Sequence, residues 1–107
     1  MQRVGLLLRV KPEKLDEYRA LHENIWPDLK AELKAAGMRN YSLWLLPDGR
    51  EFGYLECDDW QATCDYLATS AVHERWQALM QNYLDSPQDT GQGGQPVQLL
   101  EMSFLLE

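Results

Sequence analysis

The spacing of the apolar residues changes period twice between Gln2 and Cys57, and that switch limits the folds open to the chain. Val4, Leu6, Leu8 and Val10 alternate with Arg3, Gly5, Leu7 and Arg9, the two-residue period of a strand over Gln2–Val10. From Pro12, well suited to a first helical turn, the period lengthens. Leu15, Tyr18, His22 and Ile25 recur at three and four residues, one stripe of a helix. Pro27 disfavours helical geometry at Trp26, so the spacing predicts a break over Asn24–Trp26 and a restart at Pro27. The second piece turns Leu29, Leu33 and Ala36 inward and stops at Gly37. Period two returns over Arg39–Leu46, with Tyr41, Leu43 and Leu45 on one face. Pro47-Asp48-Gly49-Arg50 has hairpin-turn chemistry, and Glu51–Cys57 is the return strand.

Two helices, a loop and a strand follow. Asp58 and Asp59 suit a helix start before a short helix over Trp60–Ala68. Thr69 or Ser70 can cap a further helix to about Leu84, with Val72, Trp76, Leu79, Met80 and Tyr83 inward. Asp85–Pro96 reads as a surface loop and Val97–Leu106 as a last strand. The order is strand, helix, strand, strand, helix, strand, the split βαβ or ferredoxin-like α+β plan, and 107 residues fit one domain spanning 1–107. Helices on one face of an antiparallel sheet leave the other face to be covered. A second copy of the chain would cover it, so a homodimer packed sheet to sheet is expected.

A formal net charge of −7 repels phosphate backbones and anionic lipid, which argues against nucleic acid and membrane partners. The apolar run Val4–Leu8 is too short for a signal peptide, and nothing approaches the ~20 apolar residues of a membrane span. The expectation is a cytoplasmic protein with Cys57 and Cys64 as reduced thiols.

No nucleotide-binding glycine pattern, nucleophile elbow or metal-ligand spacing is present, and Gly91, Gly93 and Gly94 read as loop. What remains is a histidine in an aromatic setting. His22 follows Tyr18 by four residues, so both leave the same helical face. Spacing alone leaves two readings of His22 open: a core histidine with one hydrogen-bond partner, or an acid/base imidazole. His73, beside Glu74 and Arg75, reads as a solvated surface residue. Tyr41, Trp44, Trp60 and Trp76 read as core packing, although aromatic faces also stack on sugar C–H faces. Arg39 and Arg75 read as surface salt-bridge partners.

Taken together, these residues resemble the L-rhamnose mutarotase family. Tyr18-Arg-Ala-Leu-His22-Glu-Asn-Ile25-Trp26-Pro27-Asp28-Leu29 is similar to that family's first-helix signature. Gly37-Met-Arg-Asn40-Tyr41-Ser42 is similar to the start of its second strand, and Glu74-Arg75-Trp76 to its arginine–tryptophan pair. The resemblance implies a cofactor-independent isomerase of a monosaccharide, with ferredoxin-like subunits paired as a dimeric α/β barrel. It implies His22 as proton donor and Tyr18, Tyr41 and Trp76 as sugar-binding residues, with no metal. Two positions depart from the pattern. Gln77 stands where a second tandem tryptophan is found, which opens L-fucose or a related sugar as substrate. Leu105 stands where a histidine is common.

Two other classes compete. A cofactor-independent monooxygenase or polyketide-type cyclase on the same dimeric plan would need a wider, more apolar pocket. A small-ligand-binding module would need no acid/base residue.

Overall fold

The computed structural model describes residues 1–85 and 98–107. Most of the loop expected over Asp85–Pro96, and Val97, lie outside the described residues. Strand β1 (Gln2–Arg9) runs through a 3₁₀ turn (Pro12–Lys14) into α1 (Leu15–Glu23) and α2 (Pro27–Ala35). Then come β2 (Arg39–Leu45), β3 (Arg50–Cys57), α3 (Trp60–Ala68), α4 (Ala71–Met80) and β4 (Gln98–Leu100). The sheet order is β2-β3-β1-β4, with every neighbouring pair antiparallel. β3 lies between β1 and β2, which is the split βαβ arrangement expected.

Local chemistry explains the boundaries. Trp26 takes φ −58° and ψ 129°, the extended conformation its following proline favours, and this separates α1 from α2. The Asp59 carboxylate accepts from the Gln61 and Ala62 N–H groups at the start of α3. Ser70, rather than Thr69, caps α4 by accepting from His73 N–H at 3.2 Å. In the β2–β3 hairpin, Leu46 N–H donates to the Arg50 carbonyl at 2.8 Å. Gly49 sits there at φ 98°, and a Cβ on it would collide with the Val10 carbonyl.

The helices cover one sheet face. Val4, Leu6 and Leu8 of β1 and Leu55 and Cys57 of β3 pack against Leu29, Leu67, Trp76 and Met80 from the helices. Both cysteines are buried and free. Arg39 pairs with Asp58 at 3.0 Å and Arg75 with Asp28 at 3.8 Å, the surface partnerships expected.

Three expectations are corrected. α4 stops at Met80, not Leu84, because the main chain there is captured by the end of β1: Lys11 N–H donates to the Tyr83 carbonyl and Asp85 N–H to the Arg9 carbonyl. The last strand is only Gln98–Leu100, and residues 101–107 lie exposed outside the sheet. Continued pairing would turn Met102, Phe104 and Leu106 to the same side as Leu100, where a single chain has nothing to bury them against. Trp44 is not core: it is 68% exposed on the outer face, its Nε1–H donating to Ser42 Oγ at 3.0 Å. The strand registers put it beside Phe52 and Leu7 on that face. No helix among the described residues is long and apolar enough to cross a membrane.

Candidate active site

The i, i+4 relation of Tyr18 and His22 carries both side chains from α1 toward the sheet. Tyr18 is buried and His22 half-buried, with ring centroids 4.2 Å apart. His22 Nδ1 lies 3.0 Å from the Tyr18 carbonyl oxygen. A carbonyl only accepts, so Nδ1 carries the hydrogen and Nε2 is left to exchange a proton with a bound molecule. Trp76 of α4 meets the His22 ring edge-on at 5.4 Å, and Trp26, set by the helix break, braces Trp76 edge-on at 5.1 Å.

Tyr18, His22 and Trp76 border a cavity of about 480 Å³ between the helical layer and the sheet. That volume lies in the range of about 300–1,000 Å³ typical of small-molecule sites. Its polar groups are few: Tyr18, His22, Tyr41, His73, Gln77 and Gln81, on walls that are otherwise aliphatic and aromatic. All four residues singled out from the sequence, His22, Tyr18, Tyr41 and Trp76, border this one cavity. Tyr41 exposes 38% of its surface, yet burial of its hydroxyl and the charge of Glu51 push its pKa well up. Among the described residues, no three His, Cys, Asp or Glu side chains gather as metal ligands.

His73 overturns its expectation as a solvated residue. It is buried, because the inward face of α4 runs through His73, Trp76 and Met80 rather than centring on Val72 and Leu79, which are only partly buried. Burial lowers the imidazole's pKa, opposed by a hydrogen bond with the Leu67 backbone and by the charge of Glu32. The spacing 73, 76, 77, 80 is itself helical and held this signal; the charged neighbours Glu74 and Arg75 masked it.

Sequence reasoning also passed over Glu51. It sits on the core-facing parity of β3 with Gly53, Leu55 and Cys57, and only 3% of its surface is exposed. Tyr18 Oη–H donates to Glu51 Oε1 at 2.6 Å, the length of a bond to a charged acceptor. Burial raises the Glu51 pKa, while the Tyr18 hydrogen bond and His22 pull it down. Tyr18 in turn is pushed well above a phenol's ordinary range, by burial first and then by Glu51. The signal lay in the alternation: a glutamate in phase with buried positions needs a partner.

The family model for L-rhamnose mutarotase matches residues 3–106. An L-rhamnose mutarotase of Oceanobacillus iheyensis is 36% identical over 96 residues, covering 84% of this chain and 91% of that protein. Among solved structures, the L-rhamnose mutarotase of Formosa agariphila superposes with a TM-score of 0.81 at 21% identity, over the full length of both chains. An antibiotic biosynthesis monooxygenase superposes with a TM-score of 0.63 at 18% identity, covering 99% of this chain and 100% of that one. At such identities the structural likenesses speak for the fold, which the two enzyme classes share. The sequence match decides between them: the chain belongs to the L-rhamnose mutarotase family.

Proposed function

We propose that the chain interconverts the α and β anomers of L-rhamnose by opening and reclosing the pyranose ring, with His22 as the acid at the ring oxygen. The observation that carries this reading is the orientation of His22: Nδ1–H donates to the Tyr18 carbonyl, which leaves Nε2 for the cavity, and the imidazolium form donates from there. Ring opening needs a proton delivered to O5 and one removed from the anomeric hydroxyl; a positioned imidazole supplies the first. Tyr18 and Tyr41 offer hydroxyls to the sugar, and Trp76 offers an aromatic face to its C–H groups. Nothing in these steps calls for electron transfer, and the uncatalysed reaction already runs slowly in water, so help of roughly 10²–10⁴-fold suffices.

The test is anomer exchange of L-rhamnose and L-fucose, followed by saturation-transfer NMR with wild type and His22→Ala. Acceleration by wild type and loss of at least ~10²-fold in the variant is expected. No acceleration of any sugar by wild type would sink the mutarotase reading, and a fully active His22→Ala would sink the role of His22.

We further infer a homodimer formed through the outer sheet face. Trp44, Phe52 and Leu100 lie exposed there, and Met102, Phe104 and Leu106 follow in the exposed tail. A second copy is the occupant that suits an apolar strip continuous from sheet to tail. Sedimentation equilibrium of wild type at micromolar concentration should give twice the chain mass, and Phe104→Asp should shift the balance to monomer. A monomeric wild type overturns the inference. The two free buried thiols, Cys57 and Cys64, suit a reducing cytoplasm. Recovery of the protein in a secreted or periplasmic fraction would contradict that location.

A further inference from the structure

We propose that Glu51, acting through Tyr18, is the acceptor end of a two-residue proton relay that takes the anomeric hydroxyl proton while His22 protonates the ring oxygen. The proposal rests on the mutarotase reading and supplies the group that reading lacks.

The geometry is specific. Glu51 faces inward from β3, paired with Leu8 of β1 and Leu45 of β2. Leucine would continue the alternation of that face, and a buried carboxylate is a costly replacement. Glu51 is not among the residues bordering the cavity, but Tyr18, which donates to it, is. Tyr18 and His22 from α1 act on Glu51, whose charge acts in turn on Tyr41 from β2. The ion pairs of the described residues all lie elsewhere. Glu51 is therefore a positioning residue with a proton-accepting role, and Tyr18 is the group that meets the sugar.

In ring opening, the O1–H proton passes to Tyr18 Oη as the Tyr18 proton passes to Glu51 Oε1. The electrons of the O1–H bond become the second C1–O1 bond, and the C1–O5 bond breaks. Its electron pair takes the proton of His22 Nε2. The aldehyde turns about C1–C2, and closure reverses each step on the other face. The site begins and ends with Glu51 ionised and His22 protonated, so no co-reactant is needed. The raised pKa of the Tyr18 phenol means that no free tyrosinate accumulates and its two proton transfers are coupled. The burial that raises Glu51 makes it a stronger base than an exposed carboxylate.

Glu51→Gln isolates this role, because its amide carbonyl still accepts from Tyr18 while it takes up no proton. The expected result in the anomer-exchange assay is a loss of about 10²-fold in kcat with KM within about twofold. The acid limb of the wild-type pH–rate profile, set by ionisation of Glu51 above the ordinary carboxylate range, should vanish. Tyr18→Phe breaks the relay from its other end and should lose the same limb. An active wild type with Glu51→Gln within about threefold of it and an unchanged acid limb overturns the relay alone. Retention of the limb in Tyr18→Phe does the same. A wild type inactive on every sugar overturns the mutarotase reading and the relay with it.

Discussion

Replacing Tyr18 by Phe removes one oxygen, yet it should destabilise the folded chain in a way that depends on pH. In the native structure that hydroxyl donates to a carboxylate 2.6 Å away whose residue is 3% exposed. A hydrogen bond to a charged group contributes about 1.5–3 kcal/mol, and a buried charge left without its partner raises the loss toward the upper end. We expect about 2–3 kcal/mol at pH 8. The urea slope of a chain this size is roughly 1–3 kcal/mol per molar, so the midpoint should fall by about 1 M or somewhat more. The pH dependence follows from Glu51. Burial raises its folded pKa above the ordinary 4.5, so the folded chain holds that proton more tightly than the unfolded one. Stability from this group is fully present below the ordinary value and is lost as pH rises through the folded value. The Tyr18 hydrogen bond limits that rise, so its removal deepens the loss at high pH. Equilibrium urea unfolding at pH 8 and pH 4.5, read by tryptophan fluorescence, should give a deficit that shrinks to about 1 kcal/mol at the lower pH. Tyr18→Phe combined with Glu51→Leu should recover most of the lost stability, since both polar partners are gone. A deficit equal at the two pH values, or strictly additive effects in the double variant, would refute the argument.

Three further outcomes follow from the geometry. Gly49→Ala should lower stability by about 2–4 kcal/mol, because φ is 98° and the new methyl meets the Val10 carbonyl; an unchanged thermal midpoint would show that the turn relaxes freely. Ser70→Ala should cost about 1–2 kcal/mol in urea unfolding, since it removes both the cap on His73 N–H and a hydroxyl donated to Glu32 at 2.7 Å. Gln77→Trp should change the ratio of L-rhamnose to L-fucose exchange rates by about tenfold, the worth of one hydrogen bond to a sugar hydroxyl. An unchanged ratio would remove Gln77 from the specificity wall.

Much of this molecule is legible in its sequence because local rules act within a few residues. The alternation of Val4, Leu6, Leu8 and Val10, the break before Pro27 and the turn at Gly49 each declare themselves without tertiary help. The spacing of Tyr18 and His22 brought two site residues together because an α-helix repeats its face every three to four positions. Glu51 was hidden for the opposite reason. Its partner Tyr18 is 33 positions away, and only the packing of α1 over β3 makes that pair. His73 reads as solvated from its charged neighbours, yet it is buried, because adjacent residues on a helix do not share a face. The tail beyond Leu100 reads as a strand by composition, but strand pairing needs a surface to bury the side chains it turns outward.

The cavity beneath α1 and α4 has a thermodynamic consequence. It borders Leu29, Leu55 and Met80, which are also the packed interior of the domain, so the pocket and the hydrophobic core are one space. Natural interiors are close-packed, and room left in one weakens the fold. A bound sugar would serve as the missing core side chain, and folding and binding would then be a single linked equilibrium. Thermal stability would climb with the logarithm of sugar concentration, by about 2.7 kcal/mol at a hundred times the dissociation constant. Residues that closed the space permanently would harden the protein and silence it together.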